Sequence, residues 1–316
     1  MKEGDRRVPP PPTPSRPFPA RGRTSVVGVL VALCVFLLPA ASHAQGFGKN
    51  KVNYTQEDWR LIRSEHFDVY FPDGSVWLAE FTARTSEDAL TQIEDAWNYK
   101  LDRKIPIIVY TSHNTFSETN VIGGRIGETT GGFTEFNRSR VVIPYEGSYA
   151  QMRHVIHHEL VHALQYNLFT SGSFKTLALS RLVALPLWVV EGLAEFESTG
   201  WDVDADNIMR DAVISDYAPS LDTMRYGVFA YKGGQSVYRF LAQTYGRERI
   251  AEWLRSIKTT ASVEKSFRYV FDESMEEIDE KWHTWLKKQY WPEIAERLSP
   301  AEYARPMTDH LEDGSY

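Results

Sequence analysis

The chain has 316 residues, 42% of them hydrophobic and 24% charged, which is typical of a globular protein with room for one large domain or two lobes. Its net charge of -7 at pH 7, without a basic patch, argues against nucleic acid as a partner. The only cysteine, Cys34, lies in an N-terminal apolar run. Once that run is removed no disulfide can form, and a metal site must use His, Glu or Asp.

Residues 1–44 have the composition of a secretory signal with a proline- and arginine-rich extension. Basic residues come first, Val26 to Leu38 form a 13-residue apolar run, and small residues lead up to Ala44. We expect cleavage near Ala44, an extracytoplasmic location, periplasmic or secreted, and no stable membrane span afterwards. The alternative is an uncleaved anchor, although 13 apolar residues are short for a bilayer span.

Residues 45–147 are predicted to form a β-rich part that precedes the main helices. Alternating or apolar runs predict strands, and longer amphipathic stretches predict helices. The predicted strands are His66–Phe71, Ile105–Tyr110, Phe133–Phe136 and Arg140–Ile143, and the predicted helices are Ser75–Asn98 and Ser112–Val121.

Residues 148–310 are predicted to be mostly helical, with residues 311–316 as a tail. Ser148 and Gln151 form a capping box, which predicts a helix that runs to about Leu168. Further helices are predicted from Pro186 and over Gly227–Tyr245, Glu248–Ile257, Val263–Phe271 and Met275–Tyr290. The predicted fold class is α+β, with a small mixed sheet in an N-terminal lobe, an active-site helix, and a mostly helical C-terminal lobe.

The five residues from His158 to His162 read His-Glu-Leu-Val-His. Two histidines four positions apart lie on one face of a helix and can hold one Zn²⁺ ion. Glu159 can then act as the general base that takes a proton from a metal-activated water. Glu191, separated from His162 by 28 residues, offers a third ligand. The alternative is an amphipathic helix that only buries its apolar residues in the core.

His158–His162 together with the segment Val190-Glu191-Gly192-Leu193-Ala194 resembles the gluzincin branch of the zincins. The resemblance implies a zincin-like fold, with Glu191 as the third zinc ligand and Glu195 as the acidic group that supports His158. In the aminopeptidase type a tyrosine of a Tyr-x-x-Gly segment stabilises the oxyanion. Tyr231 to Gly234 match that pattern, so the resemblance implies a catalytic role for Tyr231.

The connection between His162 and Glu191 is longer than in the better-known members, and the partly apolar segment Ser171–Leu185 accounts for the excess. Its role is left open. The resemblance also implies that Gly132 to Glu135 form an edge strand that pairs with substrate backbone, and Glu135 is a candidate for binding a substrate amine.

A closer resemblance, over most of residues 52–310, is to bacterial extracytoplasmic peptidases of the MA-like group that carry a Tol-type β-propeller. It is carried by His66–Phe71, Gly131–Phe133, Val141–Pro144, Pro186–Phe196 and Tyr231–Ser236. The chain stops about where such a propeller would begin, so a truncated form of a longer protein and a stand-alone form are both open.

Together these patterns predict a zinc metallopeptidase, a hydrolase of peptide or protein substrates. The alternative is a non-catalytic extracytoplasmic binding module that retains the zincin fold. A degenerate enzyme usually loses a ligand or the base, whereas this chain has every expected residue type.

Overall fold

The protein is represented by a computed structural model that describes residues 55–119, 126, 130–135, 139–170 and 185–295. The predicted signal (1–44), nearly all of the segment Ser171–Leu185, and the tail (311–316) lie outside the described residues. No described helix is long and apolar enough to cross a membrane.

A five-stranded mixed sheet forms the first part of the described chain. Its strands are β1 (Trp59–Arg63), β2 (Phe67–Pro72), β3 (Ile105–Tyr110), β4 (Phe133–Glu135) and β5 (Arg140–Pro144). They lie in the order β1-β2-β3-β5-β4. The three central strands are parallel, while β1 and β4 pair antiparallel as the two edges. The small mixed sheet predicted from the sequence is therefore present.

Strand β1 was missed because its sequence, Trp-Arg-Leu-Ile-Arg, does not alternate cleanly between apolar and polar residues. Its residues are exposed or half-buried, as an edge strand allows. In β2 and β3, by contrast, every second side chain is buried from the first residue on. That period of two is the signal that predicts a strand.

Two helices accompany the sheet. Helix α1 (Val76–Trp97) packs on it through an apolar face that includes Leu78, Leu90, Ile93 and Trp97. Helix α2 (His113–Ser117) is shorter than the predicted Ser112–Val121. The Ser112 side chain accepts a hydrogen bond from the Thr115 backbone N–H, which caps its first turn.

The second part of the described chain is helical. The helices after β5 are α3 (Tyr149–Thr170), α4 (Leu187–Thr199), α5 (Val203–Ile214), α6 (Gly234–Tyr245), α7 (Arg247–Thr260), α8 (Val263–Phe271) and α9 (Met275–Ala295). Helix α5 was not predicted, although the Asp202 side chain caps it by accepting from the Ala205 backbone N–H. The predicted helix Gly227–Tyr245 is corrected to a π-helical turn, Phe229–Gly233, followed by α6.

Aromatic side chains form the centre of the helical part. The rings of Trp188 and Trp253 stack with centroids 6.0 Å apart, and those of Trp253 and Phe267 with centroids 4.6 Å apart. All three side chains are fully buried. Large aromatic rings bury much apolar surface each, so this stack anchors α4, which bears Trp188, against α7 and α8.

Helix α3 joins the two parts, since it packs against α1, β4 and β5 and also against α4. It therefore buries polar side chains as well as apolar ones, among them Glu159, His162, Gln165 and Asn167. Buried polar groups need partners, because an unpaired one costs about 1–3 kcal/mol. The partners of Glu159, His162 and Gln165 lie in the cleft described next.

Candidate metal centre

Helix α3 places His158 and His162 one turn apart, as their spacing predicts. Their Nε2 atoms lie 3.1 Å apart, and the ring planes are at 79° to each other. Helix α4 crosses α3 and brings in Glu191, whose Oε2 lies 3.3 Å from His158 Nε2 and 3.2 Å from His162 Nε2. The three atoms form a nearly equilateral triangle.

The size of this triangle is a test of whether a metal ion fits. Tetrahedral zinc, with bonds to nitrogen and oxygen of about 2.0–2.2 Å, needs ligand atoms roughly 3.4 Å apart. The three distances, 3.1 to 3.3 Å, come close to that value. Two imidazoles and one carboxylate are also a donor set that catalytic zinc sites use, with the fourth position left for water or substrate. The group of His158, His162 and Glu191 can therefore hold a metal ion.

The electrostatics of the triangle favour a cation. Burial opposes a charge on His158, but its contacts with Glu191 and Glu195 outweigh burial and raise the pKa of His158 to about 10. Burial also opposes the charge on Glu191, yet the two histidines hold the pKa of its carboxyl far below the usual range. The site thus attracts positive charge strongly. A metal ion would take the place of the proton, because a ligating histidine must be neutral at the nitrogen that binds.

A charged group supports His158 from behind. Glu195, one helical turn after Glu191, places Oε1 3.1 Å from His158 Nδ1. Lys232 Nζ donates to Glu195 Oε2 at 2.7 Å and to Asp202 Oδ2 at 3.0 Å. Despite burial, these contacts lower the pKa of Glu195 to about 2. The negative charge of Glu195 beside Nδ1 favours a hydrogen on that nitrogen, and Nε2 faces Glu191 and His162.

A neutral group supports His162. The Gln165 side-chain amide donates to the Val190 carbonyl at 3.0 Å, which fixes which end of the amide is the nitrogen. Its Oε1 then faces His162 Nδ1 at 2.9 Å. Because an amide oxygen can only accept, His162 Nδ1 carries the hydrogen and Nε2 is free for a ligand. Sequence reasoning missed Gln165, although its position three residues after His162 on the same helix was a signal for it.

A second group, His154, His158 and Glu195, also has ligand atoms close enough for an ion. It fits one less well. Glu195 already binds the ammonium of Lys232, and His158 would have to give up its Nδ1 hydrogen. His154 Nε2 lies 3.7 Å from Glu195 Oε1, the longest of these contacts. The triangle of His158, His162 and Glu191 therefore fits an ion better, and it is called the metal group below.

A cleft of about 670 Å³ opens over the triangle and is lined by the predicted ligands, the predicted base, the predicted support of His158 and the predicted oxyanion donor. They are His158, His162, Glu191, Glu159, Glu195 and Tyr231. Residues 130–134, which include part of β4, line the same cleft. The strand predicted to pair with substrate thus lies beside the metal group. Glu135 itself is paired with Arg140, so its carboxylate is already neutralised.

Tyr231 lies over the metal group, with its ring stacked on that of His158 at a centroid distance of 6.4 Å. Burial, together with the charges of Glu191, Glu159 and Glu195, raises the pKa of Tyr231 to about 12. Its hydroxyl therefore stays protonated at neutral pH and can serve as a hydrogen-bond donor. It lies in the π-helical turn, a distortion that is frequent at functional sites.

Two glycines explain how α4 and the π-helical turn come so close. A Cβ on Gly192 would lie 2.5 Å from the Gly234 backbone, and a Cβ on Gly234 would lie 2.6 Å from the Trp188 carbonyl oxygen. No other residue type fits at this crossing without a shift of backbone. The crossing holds the Glu195 helix against the turn that carries Tyr231 and Lys232, and sequence reasoning did not foresee it.

A family model described as "Peptidase MA superfamily" matches residues 85–288. The chain belongs to the Peptidase MA superfamily. The match runs from α1 to α9 and includes the metal group, its supports and the cleft. It establishes a metallopeptidase-like domain, and the mixed α+β architecture is compatible with a zincin-like fold. No curated protein matches the chain.

Proposed function

We propose that the protein is a zinc-dependent peptidase that hydrolyses peptide bonds in the cleft, with His158, His162 and Glu191 as the metal ligands. The observation that carries the proposal is the triangle of ligand atoms, whose sides of 3.1 to 3.3 Å fit a tetrahedral ion. Zinc is the proposed ion because two histidines and one glutamate, with the fourth position open, are a donor set of catalytic zinc sites.

A zinc ion in this group would supply a Lewis acid and lower the pKa of a coordinated water to about 7. In the proposed mechanism Glu159 accepts the proton of the attacking water and later delivers it to the leaving amine. Tyr231 donates its hydroxyl hydrogen to the oxygen that becomes negative during the attack. Glu195 holds His158 in the orientation that turns Nε2 toward the metal group.

The substitution Glu159→Gln tests the role of the base. It removes the proton acceptor, keeps the side-chain shape and touches no ligand. We expect cleavage of a mixed peptide library, followed by mass spectrometry, to fall by about 10²- to 10⁴-fold. Bound zinc, measured by elemental analysis, should stay the same. Glu252→Gln, on the exposed face of α7, is the matched control and should retain full cleavage.

The same measurement separates the peptidase from a binding module. If wild-type protein retains zinc and shows no chelator-sensitive cleavage, the catalytic proposal is wrong and the non-catalytic module is favoured. Purified protein without stoichiometric zinc would contradict the proposed metal instead.

We also propose that residues 1–44 direct the protein out of the cytoplasm and are removed near Ala44. The order of basic, apolar and small residues supports this location. N-terminal sequencing of the protein from cell fractions tests it, since an intact Met1 would contradict cleavage. The resemblance to peptidase domains that carry a Tol-type propeller stays a prediction.

A further inference from the structure

The proposed base, Glu159, has a hydrogen-bond partner on the edge strand β4. Thr134 Oγ1 lies 2.7 Å from Glu159 Oε2 and 2.9 Å from the Glu159 backbone oxygen. A threonine hydroxyl has one hydrogen, so the two acceptors compete for it. A charged carboxylate makes the stronger acceptor. The Thr134 hydroxyl therefore donates its hydrogen to Glu159 Oε2.

The other carboxylate oxygen is in a different situation. Glu159 Oε1 makes no hydrogen bond to another residue within the described part of the chain. The Glu159 side chain is buried, at 6% exposure, and the residue lines the cleft. One oxygen of the carboxylate is thus held, and the other is left for a ligand in the cleft.

Strand β4 reaches Glu159 because glycine precedes it. A Cβ on Gly132 would lie 2.9 Å from Val155 Cγ1 and 3.3 Å from Glu159 Cγ, so a side chain there would push the strand off α3. On its other side β4 is held by β5, with Thr134 paired to Val141. The strand therefore sits in a fixed position against α3, and the Thr134 hydroxyl is delivered to the carboxylate by the fold.

We propose that Thr134 is a positioning residue for Glu159, which holds Oε2 so that Oε1 is the oxygen that accepts the proton. The inference rests on the proposed function of Glu159 as general base. A base must lie within hydrogen-bond reach of the proton that it takes, and small misplacements cost large factors in rate. A carboxylate free to rotate about its last bonds would spend much of its time out of position.

The strand that carries Thr134 also borders the cleft. Residues of β4 line the cleft, and the strand is the one expected to pair with substrate. In the described sheet β4 is the last strand, and its outer edge and the hydroxyl that holds Glu159 belong to the same three residues. A peptide that pairs with β4 would therefore lie along the same strand that positions the base.

Three substitutions test the inference. Thr134→Val keeps the shape of the side chain and removes the hydroxyl, whereas Thr134→Ser keeps the hydroxyl and removes a methyl group. Thr91→Val is the control, because the Thr91 hydroxyl bonds only to a carbonyl of its own helix on an exposed face of α1. For each variant, kcat and KM are measured on one peptide that the wild type cleaves, and bound zinc is measured by elemental analysis.

The inference predicts that Thr134→Val lowers kcat by roughly ten-fold or more, with KM and bound zinc within about two-fold of wild type. Thr134→Ser should recover most of kcat, and Thr91→Val should match the wild type. A purely structural role would instead change thermal stability, KM or zinc content, and serine would not rescue it selectively.

Three results would overturn the inference, and they are distinguishable. If wild type cleaves and Thr134→Val retains wild-type kcat, Thr134 does not position the base, while the proposed function stands. If wild-type protein with bound zinc cleaves nothing, the proposed function fails and the role of Thr134 fails with it. A loss of kcat that Thr134→Ser does not recover counts against the hydroxyl and hence against the inference.

Discussion

The two histidines of the metal group are supported in different ways. His158 is held by a chain of charged groups, Glu195, Lys232 and Asp202, which come from α4, the π-helical turn and the start of α5. His162 is held by one neutral side chain, Gln165, which is anchored to the Val190 carbonyl. We call these the charged support and the neutral support.

The difference shows what each histidine depends on. The neutral support needs contacts between α3 and the first turn of α4 alone. The charged support also needs the π-helical turn, and therefore the close crossing of Gly192 and Gly234. His162 is therefore oriented by a residue of its own helix, whereas the orientation of His158 depends on packing between distant parts of the chain.

The largest effect is expected from Gly192→Ala, which disturbs the charged support because the crossing holds α4, with Glu195, against the turn that carries Lys232. The added Cβ would lie 2.5 Å from the Gly234 backbone, so the helices must separate. Overpacking of this kind costs about 1–3 kcal/mol. We expect a lower melting temperature of the metal-free protein and weaker zinc binding. An unchanged melting temperature would mean that the crossing yields easily and does not fix the charged support.

How far the sequence could predict the site depends on whether the partners are local. The spacing of His158 and His162 follows from one helical turn, so it was readable, and the helix after Pro186 was readable for the same reason. Thr134 was not, because it meets Glu159 only through the pairing of β4 with β5 and its packing on α3. Gly192 was read as part of a motif, but the need for glycine at this position comes from the close approach of Gly234, 42 positions later.

The fold shows the same limit. Elements with a clean period were predicted nearly to the residue, as Ile105–Tyr110 and Val263–Phe271 show. Strand β1 lacks such a period, because as an edge strand it buries little. The π-helical turn was read as ordinary helix, since its sequence carries a helical pattern. The turn ends where α4 crosses at Gly234, a contact between residues 42 positions apart that no local pattern carries.

The next largest effect is expected from Glu195→Gln, which makes the charged support similar to the neutral one. The amide oxygen can face His158 Nδ1, but the amide nitrogen then faces the Lys232 ammonium, and the negative charge next to the metal group is lost. We expect zinc affinity, measured by competition with a chelator, to fall by about ten- to a hundred-fold. If Glu195→Gln lowers zinc affinity no more than Gln165→Met does, the charge of Glu195 adds nothing, and both supports act only by orienting the histidines.

Gln165→Met removes the neutral support and keeps a side chain of similar length. His162 Nδ1 then loses its acceptor at 2.9 Å, and the Val190 carbonyl loses a donor. We expect zinc affinity to fall by about ten-fold, which is the lower end of the range for such partners. A zinc affinity equal to that of the wild type would show that Gln165 does not orient His162.

The smallest effect on zinc affinity is expected from Lys232→Met, because two consequences oppose each other. Glu195 loses the ammonium that orients it, which weakens the support of His158. A positive charge near the metal group is also removed, which favours a cation. We expect zinc affinity to stay within about three-fold of wild type.

The metal-free protein should respond differently to the same change. Glu195 is 6% exposed and loses its closest cationic partner, so the folded state should lose about 1–3 kcal/mol of unfolding free energy, measured by urea denaturation. Lys232→Arg, which keeps the charge, should lose less. If Lys232→Met instead lowers zinc affinity as much as Glu195→Gln, the charged support acts as one unit. Its outer lysine would then matter to the metal as much as the carboxylate that faces His158.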